Sequence, residues 1–149
     1  MIHQDILHPV VTLALWTMII WIYMYATRLP AMGRAGIDGT KLVGSTGKGL
    51  RDQLVAAGEE RASWVADNYN HLMEQPTIFY AVTLALAVMG EGGALAVGLA
   101  WGYAGLRIVH SLVQIVTNRV IVRFGIFALA SLCLLGLVLL ALSIACAQG

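Results

Sequence analysis

The chain has 149 residues, 59% of them hydrophobic and 11% charged. A soluble domain carries about 25% charged residues, so this composition, with a mean hydropathy of +0.79, indicates an integral membrane protein. A net charge of +1 with no basic patch argues against nucleic acid as a partner.

Taken in chain order, the first apolar run covers residues 6–28, long enough to cross about 30 Å of hydrocarbon. No Lys or Arg precedes it and no small-residue cleavage site follows, which reads as an uncleaved helix rather than a signal peptide. Pro9 sits where a first helical turn tolerates it. Arg28-Leu29-Pro30 should end the helix, with a charge at the interface and a residue that stops it. Residues 29–60 are polar and glycine-rich and read as a long cytoplasmic loop. Its stretch from Gly44 to Gly49 resembles a phosphate-binding loop but fails the pattern, with Leu42 where the first Gly belongs and Gly49 in place of the Ser or Thr. A flexible loop is the simpler reading.

The second span is expected at 64–89, within one helix that is polar in its first third. Asp67, Asn70, His71, Glu74 and Thr77 cluster on one side of it, and Pro76 should bend it and leave an upstream carbonyl free for another partner. The third span is expected at 94–118 and the fourth at 120–147. The chain is thus an all-α membrane protein, a bundle of four transmembrane helices in one domain. Lys and Arg gather in the first loop and at Arg119 between the last two spans, whereas the turn at 90–93 has none. Both basic connections therefore face the cytoplasm and both termini the opposite side.

The third span carries the most informative stretch. Arg107, His110, Ser111, Gln114 and Asn118 fall within a sector of roughly 100° on a helix otherwise built of Ile, Val and Leu. In hydrocarbon such a stripe needs a wet cavity or polar partners, and Asp67, Asn70 and Glu74 are the expected ones. Five arginines (28, 61, 107, 119 and 123) and the acids Asp67 and Glu74 should gather at the cytoplasmic end, where they could line one pocket for an anionic ligand. An Arg107–Glu74 or Arg107–Asp67 pair that merely stitches two helices together is an equally good reading. Arg123 lies a turn inside the fourth span, where a charge costs up to roughly 2.5–3.5 kcal/mol unless it snorkels. Metal-ligand spacing is missing around His71 and His110. Cys133 and Cys146 show no CxxC pairing and read as buried small apolar residues.

With these residues in view, the chain resembles the membrane-associated proteins in eicosanoid and glutathione metabolism (MAPEG). The resemblance rests on the four spans, the long first loop, Asn70-His-Leu-Met-Glu74-Gln-Pro76, the motif Arg107-x-x-His110-Ser111, and the following Arg123. It is nearest to the bacterial branch, which implies the inner membrane. The family implies a homotrimer with active sites between subunits, glutathione as cofactor, and a lipophilic substrate arriving from the bilayer lipid. By this resemblance Arg28, Asn70, Glu74, Arg107, His110, Gln114 and Asn118 would bind glutathione, and Arg123 would stabilise its thiolate. The sequence departs from the family pattern at Met73 (usually the Glu), Ala66 (usually an Arg) and Gln114 (often a Tyr). These departures keep a second expectation open: a non-catalytic protein that binds a lipid or quinone, or an accessory subunit of a larger membrane complex.

Overall fold

The computed structural model describes residues 4–44 and 46–148; Ser45, within the glycine-rich stretch, lies outside them. The described residues form six α-helices and two short 3-10 turns. Three helices are long and apolar enough to cross a membrane: the first with its 3-10 lead-in (Asp5–Arg34), Ala94–Val116, and Val120–Ala147. The chain is an integral membrane protein built on helices.

Helix α1 (His8–Arg34) opens with Pro9 in its first turn, as expected, but does not stop at Pro30. Proline removes one hydrogen bond to the preceding turn. Here the helix continues because Ala31 is fully buried, packed with Leu54 and Ala62, so tertiary packing outweighs the local break. The expected loop at 29–60 is also more ordered than its glycines suggest. It holds helix α2 (Gly47–Ala56), started by Thr46, whose Oγ1 accepts the Gly49 N–H at 3.1 Å, and anchored by buried Leu54. Arg34 grips Glu59 through both carboxylate oxygens at 2.6 and 2.7 Å, joining the end of α1 to the start of the next helix. This partner holds the Glu59 carboxyl below the usual carboxylate range.

The single helix expected through 64–89 is two helices, α3 (Glu60–Leu72) and α4 (Pro76–Val88). Pro76 starts α4, and Met73, Glu74 and Gln75 form the break. Two features hold the break open. Proline lacks the N–H that would continue the ladder, and the Arg107 guanidinium takes the carbonyl of His71. Each helix of the pair has 13 residues, so neither alone reaches across about 30 Å of hydrocarbon.

Helices α5 (Ala94–Val116) and α6 (Val120–Gln148) pack closely against each other. Small residues allow this: a Cβ added at Gly136 would meet Leu99 Cδ1 at 3.1 Å, and one at Gly102 would meet Cys133 Sγ at 3.2 Å. Gly102 therefore serves packing within the chain, whereas space around Gly98 is open. Cys133 is half-buried in this contact, while Cys146, expected to be buried, is exposed. The core comprises Leu13, Ile20, Phe79, Leu86, Tyr103 and Leu137, with Phe79 and Tyr103 stacked at 4.5 Å. Outer faces of α1 and α6 expose Val11, Leu15, Ile22, Phe124, Leu132 and Leu142, a surface suited to lipid or another copy of the chain.

The α5–α6 connection turns on Asn118, a non-glycine residue in the left-handed region (φ 51°). Asparagine tolerates that conformation better than most residues. Asn118→Val should destabilise the protein by about 1–2 kcal/mol, read as a lower midpoint of thermal unfolding in detergent. Asn118→Gly should leave the turn intact, so a comparable loss in both variants would contradict this backbone explanation.

Candidate active site

The α5 stripe is where the fold concentrates its buried polar groups. Arg107, His110, Ser111 and Gln114 are all buried, with Arg107 fully enclosed. Ser111 forms the innermost junction: its Oγ accepts from Trp16 Nε1 at 3.0 Å and from Asn68 Nδ2 at 2.7 Å, which ties α1, α3 and α5 together. Trp16, half-buried, thus packs against the bundle rather than facing only lipid. Asn68 was not among the expected partners, yet it is completely buried. Its spacing of three from His71 and Val65 puts it on the buried side of α3, and that was the available signal.

Arg107 does not pair directly with Glu74 or Asp67. Its Nη2 donates to the His71 carbonyl at 2.6 Å and its Nη1 lies 3.2 Å from His71 Nε2. A guanidinium can only donate, so Nε2 must accept, and the proton of a neutral ring sits on Nδ1. That nitrogen lies 2.9 Å from Glu74 Oε2, giving a relay Arg107–His71–Glu74. The carboxylate side chain remains largely exposed. The Arg107 guanidinium also sits 5.5 Å from the centre of the Phe127 ring, a cation–π contact that helps to hold a charge inside the bundle. Gln75 fixes the break from its other end, receiving Tyr103 Oη at 3.3 Å and donating to Ser131 Oγ at 2.9 Å.

The five arginines expected in one pocket are distributed. Arg123 lines a cavity of about 210 Å³ with His71, His110, Val120, Phe124 and Phe127. His71 and His110 lie with ring centres 5.0 Å apart, and Phe127 is 5.3 Å from His71. Arg123 Nη1 donates to Asn118 Oδ1 at 2.5 Å, and its buried Nε has no hydrogen-bond partner among the described residues. Asn118 is thus the anchor of Arg123 rather than a member of the helical stripe. Arg28 lines a different cavity, of about 320 Å³, with Asp67 and Asn70. Asp67 there lies 3.5 Å from Arg51. Arg61 borders a third cavity with Tyr23, Arg34 and Glu59, Arg119 lines none of these three, and Arg107 lies in the interior.

The chemistry of the Arg123 cavity is well defined. A fixed cation with a free N–H, two histidines and two phenylalanines form a wall that is cationic on one side and apolar on the other. Such a surface suits an anionic or polarisable atom delivered beside an apolar reactant. Sequence spacing identified Arg123, His71 and His110; Phe124 and Phe127 were missed, since in an apolar run nothing distinguishes them from core residues.

Comparison with known proteins adds a family assignment. No curated protein and no solved structure gives a match to this chain. The sequence profile of the MAPEG family matches residues 6–143, nearly the whole chain. The order of helices, the Arg107-x-x-His110-Ser111 stripe turned into the bundle and the Arg123 cavity stand beside that match, and the chain belongs to the MAPEG family.

Proposed function

We propose that the protein is a glutathione-dependent transferase or peroxidase acting on lipophilic electrophiles, with Arg123 holding the sulfur as a thiolate. The observation that carries this reading is Arg123 lining a cavity walled by Phe124 and Phe127, with its buried Nε lacking a hydrogen-bond partner among the described residues. Glutathione, when bound, supplies a thiol whose anion is the nucleophile, and a nearby cation favours that anion. The residues fit the group at this end: an anchored guanidinium with a spare donor faces a cavity in which no acid is among the lining residues. Asn118 orients the guanidinium, His110 and His71 line the polar side, and Phe124 opens the cavity to the apolar exterior. Arg107 and Gln114 hold the bundle from inside rather than touch ligand, and Glu74 acts through His71.

Arg28 and Asn70 lie in a separate cavity of the same chain. In the homotrimer proposed here, the α1–α3 face of one subunit meets the α5–α6 face of the next, bringing these residues toward the neighbour's Arg123. The exposed apolar faces of α1 and α6 support such a contact. The broken pair α3–α4 then serves as the second of four spans of a single domain. The Lys and Arg distribution supports an orientation with both termini outside the cytoplasm, and the resemblance to the bacterial branch implies the inner membrane.

A second reading, a non-catalytic lipid- or quinone-binding protein or an accessory subunit, is favoured by one specific observation. Glu74 is engaged by His71 at a helix break instead of standing free on a continuous helix. Titration calorimetry on the purified protein in neutral detergent separates the two. Saturable binding of glutathione in the millimolar range or tighter is expected. No heat at millimolar glutathione, with a stoichiometric partner complex copurifying, would establish the second reading.

A further inference from the structure

We infer that the cavity between α1, the start of α3 and α5 holds the headgroup of a singly charged anionic phospholipid, of the phosphatidylglycerol class. The cavity, of about 490 Å³, has an apolar side formed by Pro30, Ala62, Val65 and Ile115. Its charged lining residues are Arg34, Glu59 and Arg61. Arg34 and Glu59 neutralise one another through hydrogen bonds of 2.6 and 2.7 Å, which leaves Arg61 as the cation in excess. Arg61 is exposed and forms no ion pair or hydrogen bond among the described residues. It stands in the first turn of α3, where a cation opposes the helix dipole, so helix stability does not account for it. One negative charge balances this lining.

The level of the cavity selects a lipid. On α1 its lining runs from Tyr23 to Arg34, a stretch that contains Arg28, the first Lys or Arg of the chain. It thus straddles the point at which the helix leaves hydrocarbon, where the phosphates of a bilayer lie. Leu15, Ile19 and Ile22 are exposed. With Ala26 and Pro30 they follow spacings of three and four, so they form one apolar stripe along α1 that leads into the cavity. From Leu15 to Ala26 the helix rises about 16 Å, close to one leaflet of a core about 30 Å thick. An acyl chain lying on this stripe puts its headgroup beside Arg61. The lining also suits headgroup hydroxyls. The Tyr23 phenol has no partner among the described residues, and Pro30 lacks the N–H that would otherwise take the Ala26 carbonyl.

This site does not depend on the glutathione reading. Arg28 lies two residues from both Ala26 and Pro30, about 200° around α1, and Asn70 lies five residues from Val65, about 140° around α3. The cavity therefore occupies the flank of the α1–α3 pair away from Arg28 and Asn70. It shares no lining residue with the cavity of Arg28 or with that of Arg123. In the proposed trimer the Arg28 flank meets the neighbouring subunit, which leaves this flank to the bilayer.

The test uses the full chain in phosphatidylcholine nanodiscs doped with equal, minor amounts of phosphatidylglycerol and phosphatidylethanolamine. Native mass spectrometry counts the lipids that stay on the protein after release. Wild type should retain one phosphatidylglycerol per chain in preference to both other lipids. Arg61→Ala should lower that preference about fivefold, the effect of one basic residue at an anionic membrane surface, and Arg61→Lys should restore most of it. Lys41→Ala, which removes an exposed cation of the same connection outside the cavity, should leave the preference unchanged. Arg61→Ala breaks no side-chain contact among the described residues, so its folding and its glutathione turnover in detergent should match wild type. A protein that retains phosphatidylglycerol through Arg61 but binds no glutathione would support this site while refuting the proposed activity. Equal retention of the three lipids, a preference for phosphatidylethanolamine, or a wild-type preference in folded Arg61→Ala would overturn the proposal. Equal losses in Arg61→Ala and Lys41→Ala would also overturn it, by reducing the effect to diffuse surface charge.

Discussion

Replacing Arg123 with alanine should lower kcat/KM for glutathione conjugation of a chlorodinitrobenzene-type electrophile by roughly 100-fold or more, in line with removal of a main anion-stabilising donor. Its charge is partly buried, its Nη1 is anchored on Asn118, and its Nε points at no protein acceptor among the described residues. Removing it breaks no contact that closes the bundle, so unfolding temperature and oligomeric state should stay close to wild type. Arg123→Lys keeps the charge but loses the fork that binds Asn118 and a second acceptor together, and should recover only part of the rate. Asn118→Gly, whose turn is expected to survive, should fall between wild type and Arg123→Ala, since the guanidinium is present but unanchored. Steady-state rates across these variants check the ordering. Equal activity in wild type and Arg123→Ala would remove Arg123 from the chemistry.

The second large effect concerns stability. Arg107→Ala should destabilise the fold by about 3 kcal/mol, because two charge-assisted contacts to His71 and the ring contact with Phe127 disappear together. The loss also leaves the His71 carbonyl unpaired at the α3–α4 break, in a place that water reaches poorly. Chemical unfolding in mixed micelles, followed by helical circular dichroism, measures it. Arg107→Lys reaches one acceptor rather than two and should retain about half of the stabilisation. An Arg107→Ala variant as stable as wild type, but inactive, would instead make this residue a ligand.

The two arginines show how far the sequence could be read. The stripe of Arg107, His110, Ser111 and Gln114 was legible from helical spacing alone, and all four are buried. Pro76 likewise announced a freed backbone carbonyl. The carbonyl that Arg107 takes is that of His71, which becomes available only once the helix has parted into α3 and α4. Helical periodicity assumes an unbroken helix and therefore pointed to acids as partners. The same limitation explains Pro30 and α2. Propensity disfavours both, but Ala31, Leu54 and Ala62 bury against one another and the Thr46 side chain caps the first turn, which no local pattern reveals. The division of Arg28, Asn70 and Arg123 between cavities was also hidden, since it depends on which helix faces are turned toward each other.

The central claim, that Arg123 holds a thiolate, is tested most directly by ultraviolet difference absorption of glutathione titrated with pH in the presence of saturating protein. Free glutathione is almost entirely thiol at neutral pH, consistent with an ordinary thiol near pKa 8.5. Bound to the wild-type protein it should show thiolate absorption at pH 7, and bound to Arg123→Ala it should not. An identical thiolate signal in both proteins, or none in either despite measured binding, would contradict the account.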